Sequence, residues 1–149
     1  MSGANHPSSV VSTERMFSAS PREIFAAFER PDRLARWWGP DGFTSTFERF
    51  EFVPGGRWDF VMHGPNGAGY PNEIVVREIE PPTRIVIGHV SQPRYTLTVT
   101  LTPRGDQTRL AWFQEFESAE VAARMRRICE PANEQNLDRL RSLLASGGS

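Results

Sequence analysis

The segment Tyr95–Thr102 reads Tyr-Thr-Leu-Thr-Val-Thr-Leu-Thr: four bulky residues alternating with four threonines. A period of two sends successive side chains to opposite faces of an extended chain, so this stretch predicts a β-strand with one apolar face. The same alternation runs through Trp58, Phe60 and Met62 against Asp59, Val61 and His63, and through Leu110, Trp112, Gln114 and Phe116. Phe50 and Phe52 flank Glu51, and further strands are expected over Ile74 to Ile79 and Arg84 to Val90. Val10 to Phe17 alternates more weakly. Pro54-Gly55-Gly56, His63 to Gly67, Pro81-Pro82 and Pro103 to Asp106 are turn-forming by composition. Connections this short force antiparallel pairing. A sheet with one apolar face must be covered, which decides what the remaining segments have to do.

Two regions read as helix. After the first strand, Ser20 is a good N-cap, Pro21 suits the first helical position and Glu23 completes a capping box. Ile24, Phe25, Ala27 and Phe28 form the apolar stripe, and Pro31 ends the helix. Asp32 is the expected cap of a second short helix carrying Leu34, Trp37 and Trp38, which Gly39-Pro40 terminates. The second region, Ser118 to Leu144, is the only one long enough to cover the sheet. Val121, Met125, Ile128, Cys129, Ala132, Asn136, Leu137, Leu140 and Leu144 share a broad stripe on it, and Pro131 predicts a kink or a restart. The fold class is therefore α+β: a curved antiparallel sheet wrapped around a long C-terminal helix, with two short helices after the first strand.

The 149 residues suit one domain, expected over 10–145, with a disordered N-terminal arm over 1–9 and a disordered tail over 146–149. Seventeen basic against eighteen acidic residues exclude a general attraction to nucleic acid or to an anionic membrane. No apolar run approaches a membrane span, no signal peptide is recognisable, and the single cysteine, Cys129, allows no intrachain disulfide. A cytoplasmic location is the expectation.

Three stretches together, "RLARWWGP" at 33–40, "VPGGRWDFVMHGPNG" at 53–67 and "ANEQNLDRL" at 132–140, resemble the activator of heat-shock-protein-90 ATPase homologue family. That family lies in the START-like, polyketide-cyclase-like superfamily, and the resemblance spans Glu14 to Leu144. It implies the helix-grip fold and, as many members are taken to do, binding of an apolar or aromatic small molecule between sheet and helix. Ala132-Asn133 stands where relatives often carry Gly-Trp, which puts an amide in place of an indole. Chaperone-activating relatives carry a separate chaperone-binding domain for which this chain has no room.

The alternation places Trp58, Phe60, Met62, Tyr95 and Trp112 as the floor of the expected pocket. Met125, Cys129 and Asn133 roof it, and Trp37 or Trp38 closes it, since neighbours on a helix point about 100° apart. His89 and Gln114 would orient a ligand. Two other readings stand beside ligand binding. One is acid/base catalysis of the cyclase type, with His89 or Glu73 as base. The other is a protein-binding module for a chaperone or regulator, and self-association would be a homodimer through sheet surfaces. His63, beside a loop, is expected at the surface. The scattered histidines and lone cysteine offer no metal site, no phosphate loop or nucleophile motif is present, and no cofactor is expected.

Overall fold

The computed structural model describes residues 8–146, so most of the expected arm and tail lies outside the described residues. Seven strands form one antiparallel sheet in the order β1-β7-β6-β5-β4-β3-β2. They are β1 (Val10–Phe17), β2 (Thr44–Phe50), β3 (Arg57–His63), β4 (Gly69–Glu80), β5 (Arg84–His89), β6 (Tyr95–Arg104) and β7 (Gln107–Phe116). Helices α1 (Pro21–Ala26) and α2 (Pro31–Leu34) link β1 to β2, and α3 (Ala119–Ala145) follows β7.

Local chemistry accounts for the boundaries. Ser20 caps α1 by accepting from the Glu23 N–H while Glu23 returns a bond to the Ser20 N–H, and Pro21 occupies the first turn. α2 is shorter than expected. Proline itself starts it, Arg30 is the N-cap without a side-chain bond, and Asp32 binds the Arg30 guanidinium instead of capping. Trp37 and Trp38 therefore lie in the turns that follow. Ser118 caps α3 by accepting from the Val121 N–H. The helix runs on through Pro131 without a restart.

Two further differences concern β4 and α3. β4 begins at Gly69, five residues before the expected start, although Pro71 lies inside it. Pairing with β5 starts only at Ile74↔His89, so Pro71 has a strand on one side only, the edge position where proline is tolerated. On α3, Ile128 points to solvent and Leu143 rather than Leu144 is the fully packed residue.

The apolar face of the sheet meets α1, α2 and α3. Trp37, Trp58, Phe25, Phe28 and Leu101 are fully buried in the main cluster. A second cluster of Val11, Phe116, Ala122 and Cys129, with Val121 and Met125 against it, packs under the first half of α3. Arg15 ties β1 to α3, binding Asp138 at 2.6 Å and Glu134 at 2.5 Å.

Candidate functional site

The two apolar clusters do not merge. Between them lies a cavity of about 190 Å³, and Tyr95 packs against both clusters from its wall. Strand alternation supplies the sheet side. Asn72 precedes Ile74 and Val76 on the inward face of β4, His89 follows Ile85 and Ile87 on β5, Tyr95 and Leu97 come from β6, and Trp112 and Gln114 from β7. The helix side consists of Cys129, Ala132, Asn133 and Asn136, the i, i+3, i+4, i+7 spacing of a single face. Trp38, Gly39 and Pro40 close one end, beside Met62 and Pro93.

Of the five buried polar residues among those described, four line this cavity: His89, Gln114, Asn133 and Asn136. Their hydrogen bonds are partial. The Asn133 carboxamide donates to Gln114 Oε1 at 3.1 Å. Asn136 Oδ1 accepts from the Gly39 N–H at 2.6 Å. Trp112 is 2% exposed, and its indole N–H has no partner among the described residues. His89 stacks on Tyr95 with ring centroids 4.7 Å apart and planes 3° from parallel. Its Nδ1 lies 2.7 Å from the Pro93 carbonyl oxygen and its Nε2 2.6 Å from Asn72 Oδ1. Two acceptors would suit a protonated ring, whereas burial opposes the charge.

Burial prevails at each ionisable group on the wall. It holds the His89 pKa below the usual imidazole range, and pushes the Tyr95 phenol and the Cys129 thiol up. All three are neutral near pH 7. No aspartate, glutamate, lysine or arginine lines the cavity among the described residues. The space is uncharged, partly open to solvent, and lined by several unspent hydrogen-bonding groups.

The closing segment is bolted to α3. Arg139 donates to the carbonyls of Arg36, Gly39 and Pro40 at 2.9–3.1 Å, and the Asp41 N–H donates to Gln135 Oε1 at 3.0 Å. Trp37 and Trp38 divide their tasks. Trp37 donates its indole N–H to the Ala27 carbonyl and packs edge-on against Phe28, within the core. Trp38 turns to the cavity, its ring 5.9 Å from both Trp58 and Trp112.

Eight of the residues expected at a pocket meet around this space: Trp38, Met62, His89, Tyr95, Trp112, Gln114, Cys129 and Asn133. Four others do not. Trp37, Trp58 and Phe60 are packed into the main cluster, Trp58 lying behind Trp38, and Met125 packs against the second cluster. Glu73 is a further correction. It follows Asn72, so the strand's alternation turns it to the other face. There its carboxylate is 57% exposed and 3.7 Å from Arg57. It is not a base inside the chamber. His63 sits at the surface, partly covered and hydrogen-bonded to Thr46 at 2.9 Å. Asn72, Gly39, Pro40, Pro93 and Ala132 were not among the expected pocket residues. For Asn72 the signal was the two-residue spacing to Ile74 and Val76, masked by Pro71.

Three larger hollows open elsewhere among the described residues; the least of them, about 260 Å³, lies beside Arg36, Arg139 and Leu143, and the remaining two are larger still. One, of about 310 Å³, runs past Arg77, Arg94 and Glu115 and backs onto the His89–Tyr95 pair. The other, of about 390 Å³, lies between Phe17 and Leu144. The smaller chamber is the better site because the buried polar groups converge on it. Among the described residues, no group of three or more His, Cys, Asp or Glu side chains could hold a metal, and no helix is long and apolar enough to cross a membrane.

The arrangement of sheet, long helix and closing segment has known counterparts. The family model of the Activator of Hsp90 ATPase homolog 1-like proteins matches residues 18–145. The chain belongs to this family. Solved members and look-alikes share its helix-grip architecture. A protein from Arthrobacter aurescens is 27% identical with a TM-score of 0.85, over 92% of this chain and 86% of that one. One from Rhodobacter sphaeroides is 25% identical with a TM-score of 0.83, over 92% and 93%. At 23% identity, a Silicibacter pomeroyi protein of the same family name has a TM-score of 0.75, over 93% and 99%, a likeness of fold alone. Among curated proteins, none matches. The matched residues run from just before the capped α1 to the end of α3.

Proposed function

We propose that the protein binds a small, largely apolar molecule in the chamber between the sheet and α3. The observation that carries this reading is the convergence of four buried polar side chains on one space between two apolar clusters. A buried polar group left without a partner costs about 1–3 kcal/mol. Such groups are sustained where a ligand or ordered water completes them. The START-like fold supports the same reading, and the aromatic walls of Trp38, Tyr95 and Trp112 suit a planar guest. Acid/base catalysis has less support: Glu73 faces outward, and no carboxylate lines the chamber among the described residues.

The test is to fill the space. Ala132 lines the cavity from α3, and Ala132→Leu adds a side chain there while leaving all four tryptophans in the chain as reporters. Unaltered protein should change its tryptophan emission on titration with small aromatic molecules, whereas Ala132→Leu should fold and not respond. Equal responses from both proteins would refute the proposed location.

A further inference from the structure

We propose that the chamber selects an uncharged, single-ring molecule carrying a carbonyl-type acceptor. This rests on the reading that the chamber holds a ligand, and adds the ligand's charge, polarity and size.

Charge follows from the walls. With no ionised side chain facing the space, a carboxylate or ammonium brought into it would lose its water and gain no counter-charge, which is the costliest form of burial. The low pKa of His89 and the raised values of Tyr95 and Cys129 reinforce that neutrality.

Polarity follows from which hydrogen-bonding ends remain unspent. Asn136 can be oriented without ambiguity: a peptide N–H, that of Gly39, occupies its carboxamide oxygen, so its NH₂ is the free end. The Trp112 indole can only donate, and among the described residues it has no partner. The Asn133–Gln114 pair spends one N–H and one lone pair on itself and keeps three of each, whichever way its amides are turned, so it adds donors and acceptors equally. Both ring nitrogens of His89 are already engaged. Donors therefore outnumber acceptors among the unspent ends, and a guest must bring acceptors. A neutral carbonyl oxygen, with two lone pairs, meets that need without charge.

Size follows from volume. A cavity of about 150 Å³ holds a benzene ring. The chamber, at about 190 Å³, has room for one ring and a substituent of a few atoms. The indoles of Trp38 and Trp112, packed against each other with centroids 5.9 Å apart, give the space one aromatic wall on which a ring can lie.

Three probes with the same number of heavy atoms separate these claims: acetophenone, neutral with a carbonyl; cumene, neutral without one; and benzoate, charged. Binding to the full chain is followed by calorimetry and tryptophan emission at pH 7.5. Acetophenone should bind roughly fivefold or more tightly than cumene, as one net hydrogen bond implies, and benzoate more weakly than either. Cumene matching acetophenone, or benzoate binding most tightly, overturns this selectivity while leaving ligand binding intact. If none of the three binds at millimolar concentration, the ligand-binding reading itself falls, and this inference with it. In Gln114→Met and in Trp112→Phe the ratio of acetophenone to cumene affinity should drop toward one. A ratio unchanged in both variants also overturns the assignment, and because it is taken within one protein, a loss of stability does not distort it.

Discussion

Asn136 on α3 accepts a 2.6 Å hydrogen bond from the backbone N–H of Gly39, 97 residues earlier in the chain. The Gly39 N–H is buried, so its only route to satisfaction is this side chain. The bond joins the closing segment to the helix that forms the opposite wall, and so couples the chamber's shape to the stability of the whole.

Removing that acceptor should therefore be costly. Asn136→Ala leaves a buried N–H unpaired and should lower unfolding stability by about 1–3 kcal/mol in urea titrations. Asn136→Asp keeps an oxygen in place and should lose less at neutral pH than the alanine variant. Equal losses in the two would mean that volume rather than the hydrogen bond matters at this position.

The turn before β3 offers a steric prediction. A Cβ on Gly56 would lie 2.4 Å from the Glu51 carbonyl oxygen and 2.9 Å from that of Val53, both backbone atoms that cannot swing aside. Its neighbour Gly55 has φ +83° but open space around it. Gly55→Ala should then cost only the left-handed strain, about 1–2 kcal/mol. Gly56→Ala should exceed it, at about 3 kcal/mol or more, since the Gly55 N–H and the Gly56 carbonyl are both bonded to Val76 of β4. Thermal melts of the two variants read the order directly.

His89 sets a pH dependence whose sign can be worked out. Its folded pKa lies below the ordinary value of 6.5 because burial disfavours the charge. As the pH falls, the unfolded chain takes up the proton first. The stabilisation is complete above pH 6.5 and is lost as the pH drops through the folded value. The urea midpoint should be lower at pH 5.5 than at 7.5, and the difference should shrink in His89→Gln. A variant that keeps the full difference would place the titration elsewhere.

Cys129 should be a slow thiol. It is buried at the cavity wall, and burial raises its pKa, which leaves little thiolate near neutrality. Its reaction with a disulfide reagent at pH 7.5 should be much slower in the folded protein than in urea. Occupation of the chamber by acetophenone should slow it further.

The strands whose faces differ in chemistry could be read from the chain alone. Tyr95–Thr102 alternates without exception, and its inward residues run from the cavity wall at Tyr95 and Leu97 into the main cluster at Val99 and Leu101. Trp58 and Phe60 were equally legible as inward residues, but alternation reports only a face and says nothing about depth along it. Both lie in packed core, Trp58 against Trp38 and Phe60 stacked on Phe47. Trp38 itself could not be separated from Trp37, because α2 ends at Leu34 and the two indoles are aimed by turns, with no helical spacing to guide the choice. Asn72 was obscured because Pro71 argues against a strand in any sequence. It is tolerated here through the late start of the β4–β5 pairing, a property of the whole sheet. Met125 shares a helical stripe with Cys129 and both belong to the second cluster, yet only Cys129 reaches the edge of that cluster at the cavity, and no periodicity marks where packing stops.

Consecutive in the chain, β1 and β2 are the two outermost strands of the sheet. Residues 18–43, with α1 and α2 among them, must therefore cross its full width on the concave side, like the string of a bow. The length of that crossover limits how far the sheet can straighten. Lengthening or shortening it should change the chamber's capacity even where no lining residue is altered, so guest size can diverge between relatives through insertions far from any contact.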